Sequence, residues 1–215
     1  MSSKGLHTIL FDLDGTLIDS AELILVSWRH TMVAHFGEAP PDHHWLETVG
    51  QPLRTQFRQF ADSDQEAEVL IRTYLDHNHQ VHDDFVRPFP AVRETLLGLR
   101  ERGVRMGVVT SKATRGTKLG LRACDLDESW FDTIITSDEP VPHKPDPAPV
   151  RLALDRMGVR AAGTAFVGDS VWDLRSGRAA GVTTIGALWG PFSRELLAGE
   201  EPDMLLDDIE ALLAA

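Results

Sequence analysis

At 215 residues, with 42% apolar and 25% charged side chains, the chain has an ordinary globular composition and length for one domain plus a large insertion. Its 33 acidic residues outnumber its 21 basic ones, for a formal charge of −12 with no Lys/Arg-rich stripe, so nucleic acid is excluded as an expected partner. The single cysteine, Cys124, rules out an internal disulfide framework, and the opening MSSKGLHTILFDLDG reaches acid too early for a signal-peptide core or membrane span; a cytoplasmic address and no membrane partner are expected.

In chain order, the run Leu6 to Phe11 is short, apolar and ended by an Asp-Gly turn signal, which predicts a buried strand. From Asp19 to Phe36, the residues Ala21, Ile24, Leu25, Trp28 and Met32 fall on one helical face, with Asp19 or Ser20 as N-cap. A second helix is predicted from Asp64 to His82. Between them HWLETVGQPLRTQFRQF is less regular, because Gly50 and Pro52 break its helical pattern, and no strand signal lies between Leu17 and Phe85. Strands and helices then alternate. Val92, Leu96 and Leu99 mark a helix closed by Gly103, VRMGVVT is a strand, and Ala113 to Arg122 is helical. TIITS is the next strand, Val150, Ala153, Leu154 and Met157 the next helical stripe, TAFVG a further strand and VTTIGAL the last clear one.

Strands separated by helices of this length predict an α/β fold, a doubly wound and mostly parallel sheet with helices on both faces. Residues 17–88 are then an all-helical insertion after the first strand, and 1–16 with 89–215 form the core. EPVPHKPDPAP is too short to link domains.

In an open parallel sheet, ligands bind outside the carboxyl ends of the strands. Asp12 and Asp14 follow the first strand, Thr110 and Ser111 follow MGVV, Asp169 follows TAFVG, and Lys144 lies in the loop beyond TIITS. One crevice there would gather carboxylates suited to Mg²⁺ beside a lysine and hydroxyls suited to phosphoryl oxygens.

FDLDGT at 11–16, VVTS at 108–111, KPDP at 144–147 and GDSVWD at 168–173 resemble, in order and spacing, the motifs of the haloacid dehalogenase-like phosphohydrolases, and the insertion resembles that family's helical cap. Within the family, HNHQVHDDFV and VGQPL look similar to the phosphoglycolate phosphatase group and its bacterial pyrophosphatase branch. The resemblance implies a Rossmann-like core and an Mg²⁺-dependent phosphatase acting on a small phosphorylated metabolite, phosphoglycolate or inorganic pyrophosphate leading. Asp12 would be the nucleophile that becomes an aspartyl-phosphate. Asp14 would be general acid and then base, two residues on and so on the same side of extended chain, with its backbone carbonyl on the metal. Asp169 would hold Mg²⁺ and Asp173 would support it directly or through a neighbour. Thr110, Ser111 and Lys144 would bind phosphoryl oxygens. Arg54, the guanidinium nearest the broken loop, is a candidate for gripping an anionic leaving group, against the plainer reading of an exposed helix residue.

Each reading has a competitor. DxDGT alone could be a strand end with an Asx turn, Thr110 could cap the next helix, Lys144 could be a surface charge, and Asp173 could pair with Arg175 or Arg178. Asp146 is expected to cap the helix after it. His77, His79 and His82 beside Asp76, Asp83 and Asp84 suggest a transition-metal cluster, with a solvated helix face as the favoured alternative. Trp172 and Trp189 read as packing residues, with a place at the border of the crevice open to Trp172, and Cys124 reads as a small buried one. A dehalogenase would have no need of Asp14, and a phosphotransfer ATPase would carry Thr there in a longer chain. A sugar-phosphate mutase of the same fold, or a non-catalytic phosphate-binding regulator, stays open as an alternative.

Overall fold

The computed structural model describes residues 6–46 and 48–214. Residues 1–5, 47 and 215, and so parts of the opening run and of HWLETVGQPL, lie outside them. The chain runs β1 (Thr8–Phe11), β2 (Ile18–Asp19), α1 (Ala21–Phe36), α2 (His43–Leu46), α3 (Leu53–Phe57), α4 (Asp64–Phe85) and β3 (Arg87–Pro88). It continues through α5 (Val92–Glu101), β4 (Arg105–Val109), α6 (Thr114–Ala123), β5 (Thr133–Ile135), α7 (Ala148–Met157) and β6 (Thr164–Gly168). The last elements are α8 (Val171–Ala180), β7 (Thr183–Ala187), α9 (Arg194–Ala198) and β8 (Met204–Leu206).

Six strands form one parallel sheet in the order β5-β4-β1-β6-β7-β8. β1 is central, and its alternate residues feed opposite faces: Ile9 and Phe11 join one apolar cluster, Leu10 the other. Helices cover both faces, so the strands are apolar almost throughout. A third cluster, built on Trp28, Met32, Trp45, Phe57, Leu70 and Tyr74, draws only on residues between β2 and β3. Its indoles of Trp28 and Trp45 stack with centroids 5.9 Å apart.

Four elements depart from the sequence reading. β2 lies where no strand was expected and pairs antiparallel with β3, Ile18 opposite Pro88. Two residues are too few to show alternation. β8 closes the far edge of the sheet, but its half-exposed MLL carries little strand signal. α4 also runs to Phe85, one turn past the expected end, from a Ser63 hydroxyl that accepts from Glu66 N at 3.1 Å. No described helix is long and apolar enough to cross a membrane.

Candidate active site

The register of the sheet gathers the site. Phe11 is level with Val108 on one side and Val167 on the other, so the residues just beyond these strands emerge together at their carboxyl ends. Asp12, anchored by its N–H to the Val167 carbonyl at 2.9 Å, meets Asp169 and Asp173 there. One carboxylate oxygen from each of these three buried residues lies within 4.8 Å of the others. Lys144, also buried, donates to Asp12 Oδ1 at 2.9 Å and to Asp173 Oδ1 at 2.6 Å. A surface-loop reading of Lys144 and a solvated-helix reading of Asp173 are both excluded.

Each acid is held by its local structure. Asp173 forms a capping box at the start of α8: Ser170 Oγ donates to Asp173 Oδ2 at 2.5 Å, and Ser170 N donates to the same oxygen at 3.1 Å. Asp169 Oδ1 accepts from the Thr16 hydroxyl at 3.0 Å. Gly15, at φ +83°, packs so closely on Asp169 that a β-carbon there would fall on its carboxylate. Only glycine allows the loop after β1 to turn over this acid.

Burial sets the electrostatics. It pushes the Asp12 carboxyl up to about 7, Lys144 pulling it back down and Asp173 and Asp14 adding to the rise. Burial, then Asp173 and Asp12, raise Asp169 as well. The Lys144 ammonium is opposed by burial, yet its two carboxylate partners raise its pKa overall. One ammonium against three close carboxylates leaves excess negative charge, and the donors are hard oxygens; the set fits a hard divalent cation such as Mg²⁺.

Asp14 stands apart from this group. Both of its oxygens accept from Lys112 Nζ, at 2.8 and 3.0 Å, and Oδ1 also accepts from the Ser20 hydroxyl at 2.6 Å. Ser20 does occupy the N-cap position of α1, but its side chain makes no cap bond and serves Asp14 instead. Thr110, buried at the end of β4, accepts from Lys112 N at 3.1 Å. The Ser111 hydroxyl donates to the Gly50 carbonyl at 2.7 Å, tying the loop before α3 to the sheet. Arg54 lines the same cavity at its exposed rim, ion-paired with Glu68.

Sequence reasoning passed over Lys112 and Ser20. The signal for Lys112 is its place three residues past β4, beside Thr110 and Ser111. The histidines do not join a metal group among the described residues. Nor do they form a solvated face: His82 is buried against Asp83, His77 stacks on His30 with centroids 4.1 Å apart, and His79 lines the cavity. Their spacing placed them on one helix, whose neighbours it could not show. Trp189 donates to the Thr16 carbonyl at 2.8 Å, Trp172 packs beneath Arg175, and burial pushes the Cys124 thiol up to about 12. Asp146 Oδ1 accepts from Ala148 N at 2.8 Å at the start of α7.

The family model of the haloacid dehalogenase-like hydrolases matches residues 9–187. Over 213 residues the chain is 36% identical to pyrophosphatase PpaX of Bacillus velezensis, spanning 99% of this chain and 97% of that one. A solved structure described as a predicted phosphatase from Clostridium acetobutylicum is 26% identical over 98% of both chains, with a TM-score of 0.86. Another, described as a predicted phosphoglycolate phosphatase from Haemophilus somnus, shares the fold at a TM-score of 0.90, 24% identity and 99% of both chains. The ordered motifs, the parallel sheet and these likenesses agree, and the chain belongs to the haloacid dehalogenase-like hydrolase family.

Proposed function

We propose that the protein is an Mg²⁺-dependent phosphohydrolase that cleaves a small phosphorylated metabolite through an aspartyl-phosphate. The observation that carries this is the buried group of Asp12, Asp169, Asp173 and Lys144 at the carboxyl end of the sheet, with Asp14 beside it. Asp12 attacks phosphorus as the bond to the leaving oxygen breaks, and Asp14 gives that oxygen its proton. Asp14 then takes a proton from water, whose oxygen attacks the same phosphorus, releasing phosphate and restoring Asp12. Lys144 and Thr110 hold phosphoryl oxygens, and Ser111 adds its backbone N–H, its hydroxyl being spent on Gly50. Asp12, Asp169 and the Asp14 backbone carbonyl would hold Mg²⁺, with Asp173 fixing their surroundings. When bound, Mg²⁺ supplies charge that offsets the carboxylates and the incoming phosphate.

Residues 17–88 act as a cap over this centre, and the remaining chain is the catalytic core. Inorganic pyrophosphate and phosphoglycolate are the first substrates to test, since proteins like this one carry those names. The test is phosphate release with Mg²⁺ from these and other small phosphate esters, for the native chain and Asp12→Asn. Asp12→Asn should be folded and inactive. Substantial turnover by the variant would mean that water attacks directly, and isomer formation without phosphate release would favour a mutase.

A further inference from the structure

The reactive groups fill only one wall of a cavity of about 650 Å³, a volume in the middle of the range for binding sites of drug-sized organic ligands. A further part of the lining is apolar. It is made by Ile24 on α1, Val49 and Pro52 in the loop before α3, Leu53 on α3, and Ile71 and Leu75 on α4. All six are half-buried; Ile24, Val49, Leu53, Ile71 and Leu75 pack from behind on the Trp28–Trp45 cluster, and all present surface to the cavity. The charged side chains that helices α3, α4 and α6 contribute, Arg54, Glu68, Arg72, Asp76 and Arg115, are the exposed ones. The charge these helices bring is exposed, while Gln56, Tyr74, Asn78 and His79 set polar groups among the apolar side chains.

This is the cavity of a docked insertion. The Ser111 hydroxyl holds the Gly50 carbonyl at 2.7 Å, and a β-carbon on Gly50 would stand 2.9 Å from Trp172 Cδ1.

We infer that the preferred substrate is an organic phosphate monoester with an apolar leaving group, and that this class outranks both pyrophosphate and phosphoglycolate. The inference rests on the phosphohydrolase reading and narrows it. A second phosphate or a carboxylate pressed on these six side chains would lose water without gaining a partner there, and would have to reach the exposed Arg54, Arg72 or Arg115 instead. Arg54 already spends part of its guanidinium on Glu68, through Nη2. An alkyl or aryl body buries apolar surface on both sides.

The experiment is kcat/KM with Mg²⁺ for ethyl, butyl, hexyl and octyl phosphate, whose leaving alcohols are equally reactive, beside pyrophosphate and phosphoglycolate. The expected result is a rise of about three- to fourfold per methylene over the first members, with hexyl phosphate above both anionic substrates. Ile71→Asn should reduce the gain per methylene, and Leu53→Asn should do the same if the first variant does not fold. A flat or falling series in the native chain, with pyrophosphate or phosphoglycolate turned over best, overturns the inference and keeps the phosphohydrolase. An unchanged slope in a folded wall variant overturns it as well. Absence of Mg²⁺-dependent release from every compound overturns the phosphohydrolase reading itself.

Discussion

Lys112 Nζ donates to both carboxylate oxygens of Asp14, at 2.8 and 3.0 Å, in a partly buried pair that lines the cavity. The pair holds Asp14 in one orientation beside the buried acids. Lys112→Ala removes a charge-assisted hydrogen bond, typically ~1.5–3 kcal/mol, so kcat should fall by about ten- to a hundredfold with a smaller change in KM. Steady-state kinetics on p-nitrophenyl phosphate checks this. An unchanged kcat would show that Asp14 is oriented without Lys112.

Lys144 bridges Asp12 and Asp173 in the interior. Lys144→Met leaves these carboxylates without their cation and should cost about 3–5 kcal/mol of stability in metal-free buffer. Adding Asp12→Asn removes one of the opposed charges, so the double variant should be more stable than Lys144→Met alone. Urea denaturation measures both, and a double variant no better than the single one would contradict the charge argument.

In the metal-free protein burial, the main cause, pushes the Asp12 carboxyl up to about 7 and raises Asp169 as well. The folded state then keeps protons that the unfolded chain has released above about pH 4. Folded protons in excess make stability fall with rising pH, here between about 4 and 7. Mg²⁺ needs the ionised acids, so the gain in melting temperature on adding it should be larger at about pH 7.5 than at about pH 5.5. Melting curves with Mg²⁺ or EDTA decide; an equal gain at both values would remove the linkage.

Gly50 has φ +93° and packs on Trp172 and Ser170. Gly50→Ala adds a strained residue, ~1–3 kcal/mol, and a β-carbon where there is no room. The loop should lift from Ser111, raising KM about tenfold while the melting temperature changes little. A large drop in melting temperature with unchanged KM would assign Gly50 to stability instead of loop docking.

Arg54 is exposed and paired with an exposed Glu68. Such pairs contribute ~0.2–1 kcal/mol, so Arg54→Ala should change kcat/KM for alkyl phosphates less than about fivefold. A loss confined to pyrophosphate would show the guanidinium leaving Glu68 to take the second phosphate.

The parallel sheet and the meeting of Asp12 and Asp169 were legible from local pattern, apolar runs at regular spacing each ending in a polar residue, while Lys144, nine residues past β5, was legible through its KPDP motif. β2 and β3 were not, because two-residue strands are made by pairing and carry no periodicity of their own. Lys112 and Ser20 were missed for a related reason. Their partner is Asp14, and the turn that brings these residues together is set by Gly15 and by the insertion closing back through β3. The burial of His82 depends likewise on what packs against α4.

The place of β1 in the sheet has a consequence for how the protein comes to be active. Thr8 pairs with Arg105 on one side and with Thr164 on the other, so the first strand made takes its second neighbour from chain synthesised much later. Pairing across such separations is slow to form, whereas the Trp28–Trp45 cluster is assembled from nearby segments. A nascent chain ending before Thr164 carries Asp12 and Asp14 but has neither Asp169 nor Asp173 to set beside them. Turnover is therefore a reporter of completed folding, and in refolding from denaturant it should return after the helical signal of residues 21–85 has recovered.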